Sequence, residues 1–125
     1  MASNKDIAWG YFQTLNEGRM EDAIEMLHDD GSFWNLRTRS STPTRKQKEY
    51  IRGVMGDVPM QFTLHNAFEE GDQVVLELSS HGEMEDGWVY ENRYCFVISV
   101  RDGKVFELRE YLDTKIATEM LEHRA

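Results

Sequence analysis

The chain predicts an α+β domain, helices first and then a meander of long antiparallel strands, and three observations carry that reading. Apolar residues recur at helical spacing until about residue 55, and from Met60 onward the period switches to two. Asp102-Gly103, between two strand-like runs, is the preferred pair for a two-residue hairpin turn. At 125 residues the chain has the length of one domain, 1–125, and enough mass to bury a core without disulfides or metal.

Taken in order, Ser3 or Asn4 caps a first helix in which Ile7, Tyr11, Phe12 and Leu15 share a face, and Asn16-Glu17-Gly18 ends it. A short second helix carries Met20, Ala23, Ile24 and Leu27 and stops at His28-Asp29-Asp30-Gly31. Residues 32–36 read as a short strand and 37–44 as a loop. Pro43 or Thr44 then opens a third helix with Tyr50, Ile51, Val54 and Met55, closed by Gly56-Asp57-Val58-Pro59.

Phe62, Leu64 and Phe68 alternate with polar residues, and Glu70-Gly71-Asp72 turns into the run from Val74 to Leu78. A longer strand covers 88–100 and the hairpin returns through 104–112. Pairing Arg101 with Lys104 in an unbroken ladder sets Tyr94 opposite Tyr111 and Asn92 opposite Asp113, all on one side of the sheet. Residues 114–123 form a last helix with Ile116, Met120 and Leu121, for which Asp113 or Thr114 is a suitable cap. Strands with large apolar residues on both faces imply a sheet covered twice, by its own helices and by a partner subunit.

Composition narrows the partners. Hydrophobic residues are 40% and charged residues 30%, the balance of a globular protein rather than a disordered one. Fourteen basic against twenty-three acidic residues give a net charge of -9, a field that repels phosphate backbones and anionic lipid, so neither nucleic acid nor membrane is expected. The single Cys95 lies in an apolar run and reads as a buried thiol; with no leader-like or spanning segment, the cytoplasm is the expected compartment. No metal or organic cofactor is implied.

Several side chains are candidates for chemistry. Asp113 caps a helix on one reading and is a general base or water holder on the other, beside Asn35 or Asn92. Trp9, Tyr11, Phe12, Trp34, Tyr50, Tyr90, Tyr94 and Tyr111 read first as core, yet so many buried hydroxyls and indoles need polar outlets, which a pocket provides. His65 falls on the face opposite Phe62 and Leu64, where only a bulge would re-aim it. Glu77, Ser79 and His81 read as a solvated stripe. The basic run Arg37, Arg39, Arg45, Lys46 and Lys48 reads as a solvated loop and helix start, with an anionic ligand group or a dimer partner's acidic face as the second reading.

The segments LNEG, HDDGSFWN and VRDGKVFELREYLDT, in this order around a third helix, resemble the nuclear-transport-factor-2-like superfamily, in particular its SnoaL-like branch of polyketide cyclases and ketosteroid isomerases. The resemblance implies a curved sheet wrapped around helices as a cone, an apolar pocket at the wide mouth, and a homodimer through the sheet's outer face. It implies an oxyanion-binding role for Tyr11, as in ketosteroid isomerases, whose base falls at Asn35, a residue that cannot take a proton. Their second acid falls near Cys95 or Phe96. Limonene epoxide hydrolase is similar at Asn35, which orients water there, and at Asp113, which activates it; its arginine and second aspartate fall near Glu77 and Ser79. Dehydrochlorinases and scytalone dehydratase are similar at His65, with their aspartate falling near Asn16. The resemblance thus implies a pocket for a small apolar molecule, lined by Trp9, Phe12, Trp34, Tyr50, Asn92, Tyr94 and Tyr111. Its chemistry, where present, is proton transfer or water addition and elimination, and the alternative is a noncatalytic binding or dimerising module.

Overall fold

In the computed structural model, which describes residues 2–125, helix α1 (Asn4–Asn16) begins with a reciprocal cap. Ser3 Oγ accepts from the Asp6 amide at 3.1 Å and the Asp6 carboxylate accepts from the Ser3 amide, so two otherwise unsatisfied end groups are paired. Its far end is fastened by Asn16, whose Nδ2 donates to the Phe62 carbonyl at 2.9 Å while its Oδ1 accepts from the Phe62 amide at 2.7 Å. Asn16 therefore anchors the helix to the sheet.

Helix α2 (Met20–Glu25) is a short step into β1 (Leu27–Asn35), which starts five residues earlier than periodicity suggested. The cause is tertiary: β1 lies parallel to β6 (Lys104–Leu112), and the Val105 amide donates to the Met26 carbonyl at 3.0 Å. A glycine is required within this stretch, because a Cβ on Gly31 would lie 1.9 Å from the Phe106 carbonyl oxygen. Residues read as a loop include a short edge strand, β2 (Ser40–Pro43), which pairs with the free side of β1. Its Ser-Ser-Thr-Pro sequence lacks apolar alternation, so only the neighbouring strand reveals it.

Helix α3 (Thr44–Asp57), strands β3 (Met60–Glu70), β4 (Gln73–Glu83), β5 (Val89–Arg101) and β6, and helix α4 (Thr114–Arg124) follow as expected. The six strands form one curved mixed sheet in the order β2-β1-β6-β5-β4-β3, parallel only between β1 and β6. Along β5 the concave face receives Tyr90, Asn92, Tyr94, Phe96, Ile98 and Val100, every one buried. On β4 it receives Val74, Leu76 and Leu78. Tyr11, Phe12 and Leu15 of α1 pack on this face, with Phe12 meeting Phe96 and Phe62 at ring-centroid distances of 4.8 and 5.0 Å. Among the described residues no helix is long and apolar enough to cross a membrane.

Two bulges correct the unbroken ladders assumed from sequence. At the β5–β6 hairpin, Asp102 and Gly103 both take positive φ, 55° and 72°, as the tight turn demands. Val100 then pairs with Val105 but Ser99 with Glu107, leaving Phe106 as the extra residue. Its ring is held on the outside between His28, 5.2 Å away, and the Arg101 guanidinium, 3.7 Å away. Because side chains alternate, this one extra residue moves the rest of β6 by a full face: Tyr94 lies opposite Leu112 and Cys95 opposite Tyr111. In β3, Leu64 pairs with Leu78 and Asn66 with Glu77, so His65 is the extra residue and Ala67, not Phe68, points inward; Phe68 is 57% exposed.

Candidate functional site

The concave face, α1, α3 and α4 enclose a cavity of about 120 Å³. Its floor is apolar, formed by Phe12, Leu15, Phe96 and Leu108, and Val54, Met120 and Leu121 close the side under α3 and α4. The exposed members of its lining, Arg37 and Tyr50, mark the mouth. A void of this size holds a body of roughly one benzene ring.

Glu110 is the carboxylate of this cavity. The Phe106 bulge places Leu108, Glu110 and Leu112 on the concave face, all three lining the cavity, while Arg109 and Tyr111 face away. Burial pushes the Glu110 carboxyl up from 4.5 to about 7, against the opposing pull of Arg37 and of a hydrogen bond from Asn35. Asn35, at the end of β1, is fixed in both directions: its Nδ2 donates to Glu110 Oε2 at 3.0 Å and its Oδ1 accepts from the Arg37 amide at 2.8 Å. A carboxyl that exchanges its proton near neutral pH and is held by a second side chain is equipped for general acid–base work.

Hydroxyl groups supply the rest of the polar lining. Ser80 and Tyr94 are linked at 2.7 Å, Tyr94 donates to the Tyr90 hydroxyl at 3.1 Å, and Asn92 Nδ2 donates to the same Tyr90 oxygen at 2.8 Å. Tyr90 thus accepts twice, and its own proton has no acceptor among the described residues, leaving it available to a ligand. The Tyr11 hydroxyl, too, lacks a protein partner among the described residues and lines the cavity. Burial raises the proton affinity of Tyr11, Tyr94 and Tyr90, and for all three the Glu110 charge adds to the effect, so these phenols remain neutral donors.

The structure distributes the residues singled out from sequence as follows. Tyr11, Phe12, Asn35, Tyr50 and Tyr94 line the cavity. Asp113 does not: its carboxylate is exposed and accepts from the Lys115 and Ile116 amides, each at 3.1 Å, capping α4. The predicted neighbour Asn92 does lie beside Asp113, but it bonds the Asp113 backbone, accepting from its amide at 3.2 Å and donating to its carbonyl at 3.1 Å. Asn92 thereby ties the start of α4 to the tyrosine network without lining the cavity. Tyr111 and Trp34 meet on the convex face at 5.2 Å between ring centroids, opposite to the expected placement; the Phe106 bulge turns Tyr111 out, and Trp34 alternates along β1 with Phe33 and Asn35, which line the cavity. His65 lies on the convex face as well, 2.8 Å from Ser79 Oγ. Trp9 stacks against Phe12 from behind, 6.4 Å between centroids, outside the cavity.

Glu110 and Gln47 carry no role in the sequence reading, and Arg37 enters it only within the basic run, yet all three line the cavity. A signal for Glu110 is present in VFELREYL: Leu108, Glu110 and Leu112 keep period two, whereas Val105 is out of phase with them, the mark of one inserted residue. Among the described residues no three His, Cys, Asp or Glu side chains cluster as a metal site would require.

The family model for the SnoaL-like domain matches residues 9–108, and the chain belongs to that family. No curated protein matches it in sequence. Among solved structures it is similar to an LEH-like epoxide hydrolase from M. tuberculosis, with 19% identity over 96% of this chain and 90% of the other and a TM-score of 0.79. It is similar to wild-type IdmH from Streptomyces antibioticus, described as a candidate polyketide cyclase, with 17% identity over 97% and 99% of the two chains and a TM-score of 0.79. TerC, co-crystallised with polyporic acid, shares 17% identity over 95% of this chain and 98% of its own, with a TM-score of 0.78. At such identities these likenesses establish the nuclear-transport-factor-2-like fold, which hosts many activities.

Proposed function

We propose that the protein is a SnoaL-like enzyme that moves a proton on a compact, largely apolar cyclic compound, with Glu110 as general base and acid. The observation that supports this most directly is the position of Glu110: inside an apolar cavity, bonded to Asn35, with its carboxyl pushed up to about 7. Above that pH the carboxylate takes a proton from an acidic C–H or from water, and returns it at another position or to a leaving oxygen. Tyr11 and Tyr90, kept neutral by burial, donate to the oxygen on which negative charge develops. The product is an isomer, an elimination product or a hydrated one, according to where the proton and electron pair move; all three balance without a redox partner.

The test is exchange of acidic C–H hydrogens in deuterated water, followed by proton NMR, across single-ring ketones, enones and epoxides. Exchange by the wild type that is lost in Glu110→Gln supports the reading, and exchange that survives the substitution refutes it. The noncatalytic alternative, a ligand carrier, is favoured by the apolar lining alone and predicts thermal stabilisation by a bound compound without exchange. The convex face, where Val75 pairs with Val97 beside Trp34 and Tyr111, fits a homodimer interface, and a cytoplasmic setting suits the free, half-buried Cys95.

A further inference from the structure

The basic run of the sequence divides in the folded chain. Arg45 pairs with Asp30 at 3.3 Å and donates to the Asp29 carbonyl at 3.1 Å, and Lys48 reaches the Asp29 carboxylate at 2.8 Å, so both cations tie α3 to β1. Arg37 does something else. It leaves β1 directly after the Asn35 turn, lines the cavity mouth, and has no carboxylate paired with its guanidinium among the described residues. Arg39, Arg93 and Arg101 also lack an ion pair among the described residues, but of these arginines only Arg37 lines the cavity. Glu110 senses its charge but takes its hydrogen bond from Asn35. Gln47 and Tyr50 stand at the same opening, and neither side chain has a hydrogen-bond partner among the described residues. Three groups able to donate, one of them cationic, thus line one cavity without a protein hydrogen-bond acceptor of their own among the described residues, and the Arg37 charge acts on both Tyr50 and Glu110.

We propose that the cavity takes an amphipathic acid: an apolar body about one ring in size, seated against Phe12 and Phe96, whose carboxylate is held at the mouth by Arg37, Gln47 and Tyr50. The assignment rests on reading the cavity as a substrate site and names the chemical class of its occupant. Arg37 offers paired N–H groups that match the two carboxylate oxygens, and the acidic surroundings disfavour anions elsewhere on the chain, so the charged end of the ligand is oriented outward and its ring inward.

The experiment is isothermal titration of the whole chain with cyclohexanecarboxylate and with its neutral counterpart cyclohexanecarboxamide, at low and high salt. The acid binds roughly ten- to a hundredfold more tightly than the amide at low salt. That advantage shrinks at high salt as the exposed charges are screened. Arg37→Gln, a change on an exposed loop, brings the two compounds within a few fold of each other, and Arg37→Lys retains part of the preference. If the amide binds the wild type as tightly as the acid, or if Arg37→Gln keeps the preference, the assignment is overturned while the cavity remains a binding site. If the wild type binds neither compound, the substrate-site reading falls with it.

Discussion

Glu110 and Asp113 are three residues apart, carry the same functional group and lie at the same end of the sheet, yet their surroundings assign them opposite work. Glu110 projects into the cavity, where burial raises its proton affinity and Asn35 holds one oxygen. Asp113 is exposed, and one oxygen of its carboxylate accepts from two amides at the start of α4. Chemistry near neutral pH needs the first environment; helix initiation needs only the second. The comparison shows that proximity in sequence to a pocket is a weak guide to membership of it, because each step along a strand reverses the side.

The strongest way to break the comparison is to exchange the two roles by mutation. Glu110→Gln is expected to lower kcat/KM for any reacting compound by at least about a hundredfold, the usual size of a general acid–base contribution. Asp113→Ala is expected to leave kcat/KM within a few fold; a comparable loss from Asp113→Ala would reverse the assignment. The convex face supplies the next contrast. Val97→Glu places a charge in the proposed dimer interface and should weaken association by roughly a hundredfold. Light scattering would then report a monomer, with Glu110 still titrating as in the wild type; an unchanged mass removes that interface.

Smaller effects sharpen the same distinction. Asp113→Ala should destabilise the fold by about 1 kcal/mol through the lost cap, measured as a lower urea midpoint at unchanged slope. Glu110 should leave its mark on the pH dependence of stability instead. Its carboxyl is at about 7 in the fold against an ordinary 4.5, so between these values the native state holds more protons than the unfolded state. Stability therefore declines as pH rises through that window, and Glu110→Gln should flatten the decline. The charged neighbour in this titration is Arg37, with the neutral phenols of Tyr11, Tyr50, Tyr90 and Tyr94 around it. Since Asn35 and Arg37 both favour the carboxylate, Asn35→Ala or Arg37→Gln should move the Glu110 inflection, followed by carboxyl carbon NMR, to higher pH; a shift to lower pH would contradict the geometry.

Much of the fold can be read from the chain. The Ser3 cap, the closing turns of α1 and α3, the Asp102-Gly103 hairpin and the two-residue alternation of β4 and β5 are local features, and each is formed by residues within a few positions of one another. Strand β2 and the early start of β1 are hidden because their partners lie outside the local sequence: Pro43 faces Ser32 in the ladder, and the Val105 amide donates to the Met26 carbonyl. The site was legible in part. Tyr11, Phe12, Asn35, Tyr50 and Tyr94 line the cavity, whereas Tyr111 and Asp113 are drawn to it only by a ladder without a bulge.

What the sequence determined by itself is the order of elements, the hairpin and the supply of apolar residues for a covered sheet, since turn chemistry and periodicity act over a few residues. What only the tertiary structure decided is which side of β6 faces the hollow. Gly31 admits the Phe106 carbonyl, Phe106 bulges out between His28 and Arg101, and the residues beyond it turn over, bringing Glu110 in and sending Tyr111 out. A single inserted residue leaves composition unaltered and shows in the sequence only as one slip of phase, but in a structure whose side chains alternate it exchanges inside for outside.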